Sequence, residues 1–258
     1  MCPHYRERRP KLASETALNM RFGLRHNPGF ESPTPGACAI VSDLPPPGKT
    51  EPRLIEGPAG LIEALWSAPQ TAANGLAVIC HPHPLFGGAM SNKVTYALAA
   101  AAQAAGLQAL RFNFRGVGRS AGPHDHGRGE TDDVLFLVDW LRERVPTGPV
   151  VLMGFSFGSW VAQKAAVRRP PAALVSIAPP LAKYLADEPV PARPACPWLV
   201  MHGYDDDVVE YEPTRAIVEA YDPPPEEFHR LDGVGHFFHG RLADISDAVA
   251  PFLARLPR

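Results

Sequence analysis

The sequence predicts an α/β domain over residues 51–258: a mainly parallel, twisted sheet with helices on both faces and no large lid domain. Three observations carry that expectation. Short apolar runs alternate with helical segments along the whole stretch, the runs are apolar nearly throughout rather than at every second position, and one of them ends in a Gly-x-Ser-x-Gly turn. Continuous apolar strands belong to sheets buried on both faces, and helices between successive strands supply the cover. No internal repeat interrupts the pattern.

Taken in order, "RLIEG" and "LIEALWSA" read as a strand pair, and "GLAVICHP" as a short buried strand. "NKVTYALAAAAQAAG" has helix-forming composition and a terminal glycine stop. "LQALRFNF" is a strand, and "ETDDVLFLVDWLRERV" an amphipathic helix whose acids come first and bases last, as the helix dipole favours. "PVVLMG" is the next strand and leads through the glycine–serine turn into the helix "SWVAQKAAVRR". "AALVSIAPP" and "PWLVMHG" are strands, "EPTRAIVEAY" a helix, "EEFHRLDG" a strand and "DISDAVAPFLARL" a closing helix. The link "LAKYLADEPVPARPAC" is too short and proline-rich for a helical lid, so an open site is expected.

Composition narrows the function classes. With 258 residues and 45% hydrophobic content the chain can bury a sizeable core. A formal net charge of −2 gives no basic excess for nucleic acid or an anionic membrane surface. Cys2, Cys38, Cys80 and Cys196 lie far apart with no C-x-x-C pattern, which suggests reduced thiols and a cytoplasmic setting. The first residues carry arginines without a following apolar region, no run spans a bilayer, and Glu7 and Glu15 argue against a transit peptide. Residues 1–50, with "SPTPG" and "LPPPG", read as a disordered extension, and Met20 is an alternative start.

The chemistry centres on Gly154-Phe155-Ser156-Phe157-Gly158. Gly and Ser are ordinary turn residues, but this spacing also describes a strained strand-to-helix elbow that lifts the serine oxygen above the sheet edge. A serine nucleophile needs a base, usually histidine, that a carboxylate orients. After a later strand, "WLVMHGYDDDVV" offers Asp205, Asp206 and Asp207; after the next, "EEFHRLDGVGHFFHG" offers His236 and His239. The chain order is serine, acid, histidine.

That constellation resembles the α/β-hydrolase superfamily. "GYDDDVV" matches the superfamily's G-x-x-D-x-x-V through Gly203, Asp206 and Val209, which selects Asp206, and "GVGH" selects His236 over His239. "RFNFRGVGRS" looks like the turn after the fourth strand, and "ICHPHPLFGG" like the turn that builds half of the oxyanion hole. Together with "HFFHG", these motifs look most like bacterial hydrolases related to dienelactone hydrolase. Those enzymes carry cysteine where this chain has Ser156, so their substrate is not carried over. The resemblance implies a serine hydrolase of small or exposed carboxylic esters or thioesters, with Ser156 as nucleophile, His236 as base and Asp206 as its orienting acid. Neither metal nor organic cofactor is expected. One oxyanion donor should be the N–H of Phe157. Pro82 and Pro84 have none to give, which leaves His83, the H-G-x reading, and Leu85, the dienelactone-like alignment, of which Leu85 is preferred.

Two other readings stand beside this one: a ligand-binding protein without turnover on the same scaffold, and a metal-dependent hydrolase drawing on His81, His83, His124, His126, His202, His236 and His239. No H-E-x-x-H is present. Phe86, Phe155, Tyr204 and Phe237, with Phe157 and Phe238, lie near the site in sequence and either line a substrate pocket or pack the core. Arg115 and Arg119 read as a charged turn, and Glu130, Asp132 and Asp133 as charges at a helix start. The expected partner is a small-molecule ester or thioester, with no nucleic acid and no membrane.

Overall fold

The computed structural model describes residues 43–183 and 188–257. Most of the expected N-terminal extension, with Cys2, Cys38 and Met20, lies outside the described residues. The remainder of that extension is docked: Gly48 N–H donates to Pro69 O at 3.0 Å, Ala68 N–H to Lys49 O at 2.9 Å, and Arg144 pairs with Asp43 at 2.6 Å. Backbone hydrogen bonds to the two residues that follow the second strand therefore carry the folded part to the N-terminal side of Glu51.

The sheet has eight strands: β1 (Thr50–Gly57), β2 (Gly60–Ser67), β3 (Leu76–Cys80), β4 (Gln108–Phe112), β5 (Val150–Phe155), β6 (Ala173–Ile177), β7 (Trp198–Gly203) and β8 (Glu227–Leu231). Their spatial order is β1-β2-β4-β3-β5-β6-β7-β8. The β1–β2 and β2–β4 pairs are antiparallel and the others parallel. Among the described residues five α-helices connect and cover them: α1 (Lys93–Ala104), α2 (Arg128–Arg144), α3 (Phe157–Arg168), α4 (Tyr211–Glu219) and α5 (Leu242–Ala254).

Strand alternation divides the apolar residues between two faces. Val78, Cys80, Leu152 and Val200 pack with α2 and α3, whereas Ala77, Ile79, Val151, Met153 and Phe155 pack with α1 and α5. Because both faces are covered, the central strands carry no polar alternation, and truncating a buried leucine such as Leu152 to alanine costs about 2–5 kcal/mol. Local signals set the helix ends. Asn92 caps α1 by accepting the Val94 N–H at 2.9 Å. Helix α2 begins at Arg128, slightly before the acidic run, because Glu130 folds back to accept the N–H groups of Asp125 and Gly127 at 2.9 and 2.8 Å.

The placement of β3 between β4 and β5 sets the site. From β3 the chain crosses to β4 on one side and later returns to β5 on the other, so the connections leaving β3 and β5 diverge and open a crevice beyond their carboxyl ends. Ser156 follows β5 directly, beside the turn that leaves β3. The link between β6 and β7 contains no helix among its described residues. No helix among the described residues is long and apolar enough to cross a membrane.

Candidate active site

Ser156 sits in a backbone conformation that L-residues avoid, with φ 52° and ψ −124°, a strain of about 1–3 kcal/mol that surrounding contacts must hold. Its N–H donates to Ile177 O at 2.8 Å, and its carbonyl accepts the Ser159 N–H at 2.8 Å and the Ser159 hydroxyl at 2.6 Å. The flanking glycines answer to close backbone approach. A Cβ on Gly154 would lie 2.3 Å from Gly158 O, and one on Gly158 would lie 2.4 Å from both Cys80 O and His81 O. Strand β5, helix α3 and the turn after β3 can meet at this point only without those side chains.

The elbow brings Ser156 to a buried series of hydrogen bonds. His236 Nε2 lies 3.1 Å from Ser156 Oγ, and His236 Nδ1 lies 2.7 Å from Asp206 Oδ2. Ser156 is 8% exposed, His236 4% and Asp206 6%, whereas Asp205 and Asp207 point to solvent. The other carboxylate oxygen, Oδ1, accepts the N–H groups of Val208 and Val209 at 2.9 and 2.7 Å. Burial alone would push the Asp206 carboxyl up. Hydrogen bonds from His202, His236 and the Val209 N–H outweigh it and hold the group below the usual carboxylate range. The Phe155 ring packs 4.9 Å from the His236 ring and supports it from within the core. His239 stacks on Phe237 instead.

The turn after β3 has two fixed imidazoles. His81 is fully buried; its Nδ1–H donates to Pro82 O at 2.6 Å and its Nε2 accepts the Phe114 N–H at 2.9 Å. Burial lowers its pKa to about 4, against a smaller opposing effect of the Pro82 hydrogen bond. His83 Nδ1 accepts the Leu85 N–H at 3.2 Å, closing a 3₁₀ turn over Pro84–Phe86 that the sequence did not suggest. Burial and the neighbouring His124 lower the His83 pKa to about 4 as well, so both rings are neutral near neutral pH. The His83 ring packs 4.7 Å from Phe157.

A cavity of about 400 Å³ opens over the serine, with Ser156, His236, Phe86, Phe237, Val208 and Lys183 in its lining. Two of the four aromatic residues expected there lie elsewhere. Phe155 is turned by strand alternation into the α1/α5 side of the core, and Tyr204 lies outside the cavity, stacked under the Arg230 guanidinium at 3.7 Å. Sequence reading did not single out Lys183 or Val208, which reach the cavity from different loops without any local motif. His202, counted only as a candidate metal ligand, lies against Asp206, and its position at the end of β7, one turn's spacing before the acid, was the available signal.

The remaining charges have structural partners. Arg115 grips Asp133 through two hydrogen bonds of 2.9 and 2.8 Å, the Arg119 N–H donates to Glu63, and Asp132 pairs with Arg168. His83, His124 and His126 adjoin, with ring centroids 5.1 and 5.0 Å apart. However, the Leu85 N–H occupies His83 Nδ1, and no group of three or more His, Cys, Asp or Glu among the described residues is arranged to hold a metal ion.

Comparison with known proteins bears on the fold and the family. A family model for the alpha/beta hydrolase fold matches residues 78–193. An alpha-beta serine hydrolase homologue from Coxiella burnetii superposes with a TM-score of 0.74 at 39% identity, over 79% of this chain and 97% of that one. XC6422 from Xanthomonas campestris, described as an a/b serine hydrolase without a lid, gives 0.75 at 36% identity over 82% and 97%. Among curated relatives, RP471 of Rickettsia prowazekii is 31% identical over 212 residues, 77% of this chain and 87% of its own length. The chain belongs to the α/β-hydrolase superfamily, and these matched structures are α/β serine hydrolase homologues from bacteria.

Proposed function

We propose that this protein is a serine hydrolase that cleaves carboxylic esters or thioesters of small or exposed substrates through an acyl-enzyme. One observation carries the reading: the unbroken series Asp206–His236–Ser156, with contacts of 2.7 and 3.1 Å. Ser156 Oγ attacks the carbonyl carbon while His236 Nε2 takes its proton. His236 then delivers that proton to the departing alcohol or thiol, and Asp206 keeps the other ring proton on Nδ1 and stabilises the transient imidazolium. Water, activated by the same imidazole, releases the acid.

The developing oxyanion needs two aimed N–H groups, each worth about 10²- to 10³-fold in rate. Phe157, at the first position of α3, supplies one. For the second, His83 is favoured over Leu85, because the Leu85 N–H is already donated to His83 Nδ1 and Leu85 itself is 67% exposed. The open cavity and the lidless character described for XC6422 support short or protruding acyl groups. The buried thiols of Cys80 and Cys196 and the absence of a basic surplus support a cytoplasmic enzyme acting on small molecules rather than nucleic acid or membrane.

The test is turnover of p-nitrophenyl esters and acyl thioesters of graded chain length by the wild type and Ser156→Ala, with and without a chelator. We expect hydrolysis by the wild type, unaffected by chelation, and a loss of at least about 10³-fold in the variant. A folded wild type that turns over no member of the series would favour a ligand-binding protein. Loss of turnover on chelation would favour a metal-dependent hydrolase.

A further inference from the structure

A second imidazole meets Asp206. His202, near the end of β7 and fully buried, has its Nε2 2.9 Å from Val209 O and 3.3 Å from Asp206 Oδ2, the same oxygen that receives His236 Nδ1. A carbonyl oxygen only accepts, so His202 Nε2 carries a proton, shared between Val209 O and the carboxylate. His202 Nδ1 is buried with no hydrogen-bond partner. The hydrogen-bonding proton therefore sits on Nε2 and not on Nδ1. Tyr211 holds the ring edge-on, with ring centroids 5.7 Å apart.

The geometry points to His202 as a positioning residue for the hydrolytic site: its Nε2–H fixes Asp206 so that Oδ2 stays aimed at His236 Nδ1. The inference rests on the Ser156–His236–Asp206 reading. Four donors surround the carboxylate. Val208 and Val209 N–H hold Oδ1, and His236 and His202 hold Oδ2. Of the two donors on Oδ2, His236 has to move charge and protons during turnover, whereas His202 has no such duty. Without it, Oδ2 would be held by the very group it must orient. The same N–H binds Val209 O, and Val208 and Val209 also line the cavity. One ring therefore ties the aim of the acid to the position of the cavity wall.

Three measurements on the full chain test this. In the wild type, nitrogen-15 NMR of the imidazoles should find a proton on His202 Nε2; the Nδ1–H tautomer, with Nε2 unprotonated, overturns the inference, and this arm needs no variant. His202→Phe fills the space without a donor, whereas His202→Gln restores an N–H at similar reach. We expect the Phe variant to lose about 10- to 100-fold in kcat on p-nitrophenyl acetate with KM changed less than about twofold, since small misplacements of a reacting group cost that much. The downfield proton resonance of His236 Nδ1–H should shift or broaden with it, and the Gln variant should recover most of both. A folded Phe variant with wild-type kcat and an unmoved resonance overturns the inference while leaving the hydrolase reading intact. A wild type without turnover on any ester overturns both.

Discussion

Replacing His81 with Gln should flatten the acid dependence of stability by an amount that the structure sets. The imidazole is buried with both nitrogens used, and its pKa falls from 6.5 to about 4, chiefly through burial. A proton added at Nε2 would displace the Phe114 N–H and place a charge in the core. The folded pKa is depressed, so between the two values the unfolded chain takes up a proton that the native state refuses. The stabilisation is complete above pH 6.5 and is lost as pH falls through the folded value. At about 1.4 kcal/mol per pH unit the full effect approaches about 3 kcal/mol, of which about 2 kcal/mol falls between about pH 7.5 and about pH 5. Urea unfolding of wild type and His81→Gln at those two pH values measures it. Other titrating groups contribute alike to both proteins and cancel in the comparison. The variant should start less stable but lose about 2 kcal/mol less on acidification. An equal loss in both would refute the account of His81 as a buried neutral ring, and with it the argument for how the turn after β3 is held.

Three further outcomes follow from the same geometry. Asp206→Asn should lower kcat by about 10³- to 10⁴-fold, because an amide can present N–H to His236 and force its proton toward Ser156, and should also lower stability, because that amide nitrogen would meet the His202 Nε2–H; a loss under tenfold in ester turnover would contradict the assignment of the acid. Gly158→Ala sets a methyl group 2.4 Å from the Cys80 and His81 carbonyl oxygens. Overpacking of that kind costs about 1–3 kcal/mol, a fall in Tm of about 2–10 °C that calorimetry would detect, and an unchanged Tm would speak against so close a contact. Lys183→Glu should lower kcat/KM for an ester ending in a carboxylate by about two- to fivefold relative to a matched neutral ester, the range for an exposed charge pair, because Lys183 lines the cavity beside Ser156. Equal effects on both esters would place the ammonium outside the substrate's reach.

Strand and helix alternation was legible because each apolar run is continuous and short, and the glycines around Ser156 marked a place where backbones must touch. The three polar groups at the site could be read from chain order, since each follows a strand at the same sheet edge. What stayed hidden depends on which way a side chain turns once the sheet has formed. The motifs did not reveal that β4 lies between β2 and β3, which only long-range pairing decides. Phe155 and Phe157 flank the same serine, yet the first supports His236 on the α1/α5 side and the second packs with α2 and α3. Glu130 read as a charge at a helix start and lies in the first turn of α2, but its full burial by the loop it organises was not legible. Between His83 and Leu85 the motifs leaned to Leu85 and did not reveal that the His83 imidazole captures the Leu85 N–H.

The most direct test of the central claim is intact-mass spectrometry of the protein after exposure to a fluorophosphonate, followed by mapping of the modified peptide. The account predicts a single adduct on Ser156, formed rapidly by the wild type and lost in Ser156→Ala. Slower formation in His236→Ala is expected, because the imidazole that lies 3.1 Å from the serine oxygen is gone. A folded wild type that stays unmodified, or an adduct on another residue, would contradict it.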